Sequence, residues 1–183
     1  WVTPSRDLIS AFKQEGDEVR FKESIVYYDC NWSNYYPSDN YPFMYKCRSA
    51  NSSIIKYRYA DVLLLKAEAL IMQDTPDLEG AADIIDEVRD RAKLGALPTS
   101  VRSNKNAMLN ALLKERRLEL AFEGQRWFDL VRLDKVEEVM NAVYAKDSGR
   151  KAQIYTFDKN SYRLPIPQSV IDANDKIHQN PGY

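Results

Sequence analysis

Residues 58–70 read RYADVLLLKAEAL, and their apolar side chains recur at the spacing of an α-helix. The predicted inward face of this helix consists of Tyr59, Val62, Leu63, Ala67 and Leu70. After a short connection around Pro76, a second apolar face repeats the helical period over residues 81–92. Two amphipathic helices joined by a short loop predict an antiparallel hairpin of tetratricopeptide-like size, which needs neighbours to cover its apolar surface.

The chain on either side of this hairpin also carries helical patterns. Thr3-Pro4 predicts the start of a short helix that ends at Gly16. A further helix is predicted to begin near Ser103 or Asn104 and to end at Gly124. Its predicted inward-facing residues are Met108, Leu109, Leu112, Leu113 and Leu120.

The last third of the sequence is less regular. Trp127 and Phe128 open a shorter helical element and are predicted to lie in the core. Asp134 with Glu137 predicts a capping box for another helix, and residues 155–157 predict a short strand. The sequence therefore predicts a mainly α fold, with a tetratricopeptide-type hairpin, further helices and long irregular loops.

Composition excludes several classes of function. The 183 residues include 44% hydrophobic and 29% charged residues, which is typical of a globular protein and predicts a single domain over residues 1–183. The formal net charge is -1 and both signs are interleaved, so no basic patch indicates a nucleic-acid partner. The longest apolar run, residues 62–65, is far shorter than the ~20 residues of a membrane-spanning helix. The sequence shows no phosphate-binding loop and no zinc spacing, and we predict neither a cofactor nor a metal.

Cys30 and Cys47 are the only cysteines of the chain, and they bracket one tyrosine-rich segment. In an oxidising compartment they would form a disulfide that closes a short loop, a cross-link that contributes roughly 3 kcal/mol. Two cysteines set no disulfide framework, however, so a pair of thiols is an equally good interpretation.

Three segments together resemble the SusD/RagB family of glycan-binding lipoproteins. They are RYADVLLLKAEAL at residues 58–70, ERRLELAFEGQRWFDLVR at residues 115–132, and LPIP at residues 164–167 followed by QNPGY at residues 179–183. A weaker match is GDEVR at residues 16–20, where the family usually has Gly-Asp-Pro-Arg, and Asp175 stands where the family usually has proline. The resemblance covers essentially the whole chain, which corresponds to the last third of a family member.

The resemblance implies a mainly α fold and a surface-exposed lipoprotein of the bacterial outer membrane. It also implies a protein that is not an enzyme, captures a glycan or another oligomeric nutrient, and passes it to a SusC-like TonB-dependent transporter. Because the chain begins at Trp1 without an initiator methionine, we expect a lipoprotein signal, its lipidated cysteine and further helical scaffold upstream.

The aromatic-rich loop at residues 26–48 is the predicted binding site for such a ligand. A sugar presents apolar C–H faces ringed by hydroxyl groups, so its site needs aromatic planes beside amide, carboxylate or hydroxyl groups. The residues that combine these properties are Trp32, Tyr35, Tyr36, Tyr41, Asn31, Asn34 and Asp39. Alternatively, the loop packs on the missing scaffold, and the chain is then a structural and partner-docking element whose sugar site lies upstream.

Glu115 and Glu119 are the strongest candidates for catalysis, since two acids four residues apart share one helical face. Arginines nearby in sequence favour ion pairing as their role, and these are Arg116, Arg117, Arg126 and Arg132. His178 is the only histidine, and no serine or cysteine lies in a recognisable nucleophile motif. A glycosidase is therefore the least favoured of the three hypotheses.

Overall fold

The computed structural model describes residues 2–46, 55–146 and 156–183. The chain divides into two compact units, one ending at Arg126 and one running from Trp127 to Tyr183. Helices predominate in the described ranges, where the only sheet has two short strands, so the predicted mainly α fold is confirmed. No helix in these ranges is long and apolar enough to cross a membrane. The single domain over residues 1–183 stays a prediction.

The centre of the first unit is a helical hairpin formed by α3 (Tyr59–Met72) and α4 (Leu78–Arg91). Asp77 caps α4, because its carboxylate accepts a hydrogen bond from the backbone N–H of Gly80 at 2.9 Å. A further helix, α6 (Lys105–Glu119), packs against both. Their shared core consists of Leu64, Ala67, Ile71, Ala81, Ala82, Ile85, Val88, Leu97, Met108 and Leu112. The predicted hairpin is confirmed, and α6 covers apolar surface that the hairpin alone would expose.

The predicted inward face of α3 is wrong by a rotation about the helix axis. Tyr59 and Val62 are 71% and 54% exposed, whereas Leu64 and Ile71 are fully buried. Successive residues of an α-helix point in directions about 100° apart, and residues 62–65 are all apolar. The sequence pattern therefore did not determine which side of α3 is buried. Packing against α4 and α6 buries the side that contains Leu64.

The start of α6 agrees with the sequence and its end does not. The Asn104 side chain caps the helix by accepting a hydrogen bond from the backbone N–H of Ala107 at 2.9 Å. The helix ends at Glu119, before Gly124, which lies in the following turn at φ 79°. A short helix that the sequence did not predict, α5 (Thr99–Arg102), precedes α6. Four residues are too few to show a helical period.

Two short helices, α1 (Arg6–Glu15) and α2 (Glu18–Ser24), precede this helical core. Ser5 caps α1, since its hydroxyl accepts a hydrogen bond from the backbone N–H of Leu8 at 3.1 Å, so the helix begins later than Thr3-Pro4 predicted. Gly16 ends α1 as expected, at φ 69°, in the left-handed region that favours glycine. The next helix then begins directly, with Asp17 as its cap.

The aromatic-rich segment forms a β-hairpin. Strand β1 (Ile25–Tyr28) pairs antiparallel with β2 (Tyr41–Met44), and Tyr28 lies opposite Tyr41. At the base of the hairpin, Ile25 is buried with Ile9 and Phe12 of α1 and with Leu118 of α6. The hairpin is therefore anchored in the core, and its connecting loop, residues 29–40, extends from an ordered base.

The second unit contains α7 (Arg126–Arg132) from its second residue onward, together with α8 (Val136–Lys146) and α9 (Gln168–Asp172). Among the described residues of this unit, Leu130 and Val136 are the buried apolar ones. Phe128 is 65% exposed, so its predicted place in the core is wrong. Asp134 lies at φ 52° after the end of α7, and its carboxylate accepts a hydrogen bond from the Tyr162 hydroxyl at 2.9 Å. The predicted capping box at Asp134 is therefore wrong, because Asp134 lies in a turn with left-handed backbone.

Side-chain amides hold the irregular C-terminal backbone of this unit. Gln179 accepts a hydrogen bond from Ile166 N–H at 2.8 Å and donates one to Ile166 carbonyl oxygen at 2.9 Å. Asn141 bonds the backbone N–H and carbonyl of Phe157 in the same way, at 2.8 and 2.9 Å. Thr156 and Phe157 lie outside any strand, contrary to prediction, and Tyr155 lies outside the described residues.

Candidate functional site

The predicted ligand-binding residues lie on and around the loop between β1 and β2. Trp32 is 61% exposed, and its ring centroid lies 6.0 Å from that of Tyr41 and 5.9 Å from that of Phe43. The exposed polar members of the predicted set are Asn31, Asn34 and Asp39. The loop thus presents one large aromatic surface together with amide and carboxylate groups, all on a short stretch of chain.

The tyrosines of the loop form a contiguous ring cluster behind Trp32. Tyr35 and Tyr36 are half-buried and meet edge to face at 4.9 Å, and Tyr36 meets Tyr41 in the same way at 5.5 Å. Tyr41 is only 1% exposed, and its hydroxyl shares hydrogen bonds with Ser33 Oγ at 2.8 Å and Thr3 Oγ1 at 3.3 Å. Tyr41 therefore supports the exposed rings from inside and offers no ring face to solvent.

Arg6 of α1 fixes the orientation of two of these rings. Its guanidinium carbon lies 4.2 Å from the ring centroid of Tyr35 and 4.8 Å from that of Tyr36, which is the geometry of a cation–π contact. The same guanidinium donates a hydrogen bond to the backbone carbonyl of Tyr35. The Tyr36 hydroxyl donates to the Pro4 carbonyl at 3.0 Å. Sequence reasoning missed Arg6, because no local pattern connects it with rings 29 residues away.

Backbone contacts close the loop at its base. Cys30 N–H donates to the Ser38 carbonyl at 2.8 Å, and Asn40 N–H donates to an Asp29 carboxylate oxygen at 3.4 Å. Asn40 lies in the left-handed region at φ 56°, which asparagine tolerates well, and it completes the reversal of the chain before β2. Cys30 is buried, whereas Cys47 lies outside the described residues, and so does the choice between a disulfide and two thiols.

Glu115 and Glu119 are covered by arginines that come from other segments of the first unit. Arg20 Nη1 lies 2.5 Å from Glu115 Oε1 and 3.0 Å from Glu119 Oε2. Arg58 Nη1 lies 2.5 Å from Glu119 Oε1, which also accepts a hydrogen bond from Arg91. Both carboxylate side chains are only 2% exposed. The interpretation of these acids as ion-pair partners is confirmed.

The arginines nearest in sequence bind other carboxylates. Arg116 Nη1 lies 2.9 Å from Asp61 Oδ1 of α3, and Arg117 pairs with Asp7 of α1. Neighbouring residues on a helix point about 100° apart, so arginines that directly follow Glu115 face different neighbours. Each of these pairs ties α6 to a different helix.

Two further arginines were expected to take part in this pairing. Arg132 Nη2 lies 2.8 Å from Asp129 Oδ1, so it pairs with an acid of its own helix and not with Glu115 or Glu119. Arg126 Nη1 donates a hydrogen bond to the Leu113 carbonyl at 3.1 Å.

The pKa values of the two carboxyl groups follow from burial and from these arginines. Burial by itself raises the pKa of Glu119, but hydrogen bonds from Arg91 and Arg58 outweigh it and lower the pKa to about 2. Burial also raises the pKa of Glu115, and the attraction of Arg20 only partly offsets this effect. Acid–base cleavage of a glycoside needs two carboxyl groups that reach the same bond. Glu119 lines a cavity of about 410 Å³, but its carboxylate there is engaged by Arg20, Arg58 and Arg91.

The other candidate groups for chemistry are dispersed. In the described ranges, no set of three histidine, cysteine, aspartate or glutamate side chains is arranged to hold a metal ion. His178 is exposed in the C-terminal tail. Within these ranges, the aromatic loop is therefore the predicted site whose groups lie together at the surface.

The sequence model that describes the SusD family matches residues 44–183. The chain belongs to the SusD family. Two curated relatives come from Formosa agariphila. SusD-like protein P38 is 42% identical over 99 residues, which are 51% of this chain and 19% of that protein. SusD-like protein P2 is 35% identical over 143 residues, which are 74% of this chain and 27% of that protein. The matched segments thus span less than a third of either relative.

Solved structures of SusD-like proteins share the fold. A SusD superfamily protein from Bacteroides vulgatus superimposes with a TM-score of 0.75 at 21% identity, over 99% of this chain and 44% of that one. A laminarin-binding SusD-like protein superimposes with a TM-score of 0.63 at 28% identity, over 97% of this chain and 37% of that one. The SusD-like architecture predicted from three short motifs is thereby confirmed.

Proposed function

We propose that this chain is part of a protein that binds an oligosaccharide or a similar nutrient and leaves its linkages intact. The observation that carries the proposal is the Trp32 ring, which is 61% exposed and packed against Tyr41 and Phe43. An exposed aromatic plane on a rigid support matches the apolar face of a sugar ring, and the amides of Asn31 and Asn34 match its hydroxyl groups.

The proposed glycan-binding residues are those of the predicted set, in two roles. The contacting residues are Trp32, Tyr35, Tyr36, Asn31, Asn34 and Asp39. Tyr41 acts through the others, because its buried ring and its hydrogen bond to Ser33 fix the loop that carries them.

Membership of the SusD family and likeness to a laminarin-binding SusD-like protein support a carbohydrate ligand. Binding without cleavage is supported by Glu115 and Glu119, whose carboxylates are engaged by arginines and 2% exposed. An inverting or retaining glycosidase would need such acids free to face a glycosidic bond. The site is therefore proposed to hold its ligand by stacking and hydrogen bonds alone.

We further propose that the whole protein is a surface-exposed lipoprotein of the bacterial outer membrane and delivers its ligand to a SusC-like TonB-dependent transporter. Family membership supports this proposal. Purification of the protein from detergent-solubilised outer membranes tests it, since a TonB-dependent transporter should co-purify in a defined ratio. Recovery of the protein without any such transporter would count against the partner.

Affinity electrophoresis of the intact protein through gels that contain single polysaccharides tests the binding function. We expect one or a few polysaccharides to retard the protein and the others to leave its mobility unchanged. Incubation of the retarding polysaccharide with a high protein concentration should release no shorter sugars. Release of reducing ends would reject binding without cleavage, and unchanged mobility in every gel would reject glycan binding.

A second candidate function is partner docking, with the sugar site elsewhere in the protein. The outward stripe of α3 favours it, because Val62, Leu65 and Met72 are 54%, 39% and 53% exposed. Alanine at Trp32, Tyr35 and Tyr36 together separates the two functions. Unchanged glycan affinity in the folded variant would favour docking, and loss of affinity would favour the loop as the sugar site.

A further inference from the structure

A groove lies between the first turn of α3 and the second half of α4, apart from the aromatic loop. Its volume is about 410 Å³, and its walls include Tyr59 and Leu63 from α3 and Glu87, Val88 and Arg91 from α4. We call it the Tyr59 groove. Small-ligand sites occupy roughly 300–1,000 Å³, so its size suits one or two sugar units.

The Tyr59 ring is an exposed aromatic surface of this groove. The side chain is 71% exposed, although α3 is otherwise packed through Leu64 and Ile71, which are both fully buried. Tyrosine offers a flat apolar ring with a hydroxyl at its end, and it loses little conformational freedom on binding. Tyr59 therefore offers an exposed stacking surface at the first residue of a helix that is anchored in the core.

Charged groups stand on the opposite wall of the groove. Glu87 and Arg91 are one helical turn apart on α4 and both are exposed. Arg91 Nη2 donates a hydrogen bond to Glu119 Oε1, and the Arg91 side chain remains 59% exposed. Its other N–H groups and the Glu87 carboxylate therefore supply donors and acceptors toward the groove.

The buried ion pairs hold this wall in place. Glu119 binds both Arg91 and Arg58, and Arg58 Nε also lies 2.8 Å from Glu123 Oε2. Arg58 itself lines the groove beside Tyr59. A guanidinium anchored at one edge by a buried carboxylate keeps its other edge oriented, which reduces the entropy lost when a ligand binds.

We propose that the Tyr59 groove is a second saccharide-binding site, separate from the aromatic loop. The Tyr59 ring stacks on the C–H face of a sugar unit, the Glu87 carboxylate accepts hydrogen bonds from its hydroxyl groups, and Arg91 donates hydrogen bonds to its oxygens. A sugar satisfies both charged groups, whereas an apolar protein surface would desolvate them without partners. This inference rests on the proposed glycan-binding function and adds a site to it.

The test compares variants of the intact protein by affinity electrophoresis, with laminarin, starch and pectin as probes. Tyr59→Ala is expected to weaken retardation by at least about fivefold and Glu87→Gln by at least about threefold. Tyr57→Ala is the matched control, because Tyr57 is 78% exposed yet does not line the groove, and its effect should stay below about twofold. Thermal unfolding checks that Tyr59→Ala, which removes an exposed ring, leaves the fold intact.

The possible outcomes separate this inference from the proposed function. Loss of retardation in Trp32→Ala with wild-type retardation in Tyr59→Ala and Glu87→Gln would overturn the groove site and leave glycan binding in place. Equal losses in Tyr57→Ala and Tyr59→Ala would also overturn it, since the groove would then have no special role. A wild-type protein that none of the probes retards would reject both proposals.

Discussion

Two regions of the first unit concentrate functional groups, and they place those groups in opposite environments. Around α6, Glu115 and Glu119 are buried beneath arginines, and each carboxylate is 2% exposed. On the β-hairpin, Trp32 is 61% exposed, although the Tyr41 ring that supports it is buried. The carboxylates on α6 are engaged by arginines, whereas the loop of the hairpin has mainly neutral side chains.

This difference separates stabilisation from recognition. Ion pairs connect α6 to Arg20 of α2, to Arg58 directly before α3, and to Arg91 of α4. They fix the helices against each other, and they engage the carboxylates of Glu115 and Glu119 with guanidinium groups. The exposed rings are proposed to bind through surface area instead, which needs no shifted pKa. Each of the following experiments changes one region and asks whether the other responds.

Removing the Glu119 carboxylate should have the largest effect. Glu119→Gln leaves Arg20, Arg58 and Arg91 without their shared anion, and breaking a buried pair costs about 3 to 5 kcal/mol. Urea unfolding followed by circular dichroism should show a much lower midpoint. Where the variant remains folded, its glycan affinity through the aromatic loop should be retained.

An exposed ion pair provides the control for this variant. Lys22 and Glu18 lie 2.9 Å apart, with side chains 72% and 78% exposed. Glu18→Gln should leave the urea midpoint where it is in the wild-type protein, because water screens an exposed pair. Equal midpoints for Glu119→Gln and the wild type would contradict the stabilising role of the buried network.

Acid should weaken the same network over a defined pH range. The folded-state pKa of Glu119 is about 2 against an ordinary 4.5, so its stabilisation is present above pH 4.5 and disappears as pH falls toward 2. The difference corresponds to roughly 3 kcal/mol at neutral pH. Glu115 acts in the opposite sense, because burial raises its pKa in the folded state. Its contribution to stability is present below the ordinary carboxyl pKa and is lost as pH rises above it.

Urea midpoints measured from neutral pH downward check this dependence. The wild-type midpoint should fall steeply below pH 4.5, whereas Glu119→Gln, which has no carboxyl group to protonate there, should show a shallower fall. Parallel curves for the two proteins would show that other groups control acid unfolding.

The sequence predicted the helices better than the directions in which they face. The periods of α3, α4 and α6 were clear, because residues three and four apart are neighbours on a helix wherever it packs. The buried stripe of α3 was misplaced, since residues 62–65 are apolar on all sides and only packing chooses among them. Local pattern determines that a helix forms, and tertiary contact determines its rotation.

The candidate site was likewise predictable in composition and not in contacts. Ring-rich sequence located the hairpin loop, but no local signal showed that Tyr41 would be buried within it. Partners far apart in sequence were missed for the same reason. Arg20 reaches Glu115 across 95 residues, and Tyr59 was assigned to the core although it faces solvent.

Removing the exposed indole should reduce glycan affinity without affecting stability. Trp32→Ala is expected to lose about 1 to 1.5 kcal/mol of binding free energy, or roughly five- to tenfold in Kd, since the stacking surface disappears. Calorimetry with a polysaccharide that retards the wild-type protein measures this change in Kd. Tyr28→Ala is the control, because Tyr28 is 57% exposed on β1 but lies outside the proposed site. Similar losses in both variants would show that affinity depends on exposed aromatic area in general.

The smallest effect on glycan affinity is expected from a change of Arg6, whose charge supports the rings of the hairpin loop. Arg6 stacks on Tyr35 and Tyr36 at 4.2 and 4.8 Å and donates to the Tyr35 carbonyl. Arg6→Lys keeps the positive charge but loses the planar guanidinium that stacks on the rings and donates to the carbonyl. The glycan Kd should therefore rise by about two- to fourfold. The urea midpoint should change little, because the buried network around Glu119 is untouched. An unchanged Kd in Arg6→Lys would mean that cation–π packing does not position these rings, and a large loss of stability would mean that the hairpin and the α6 network are coupled.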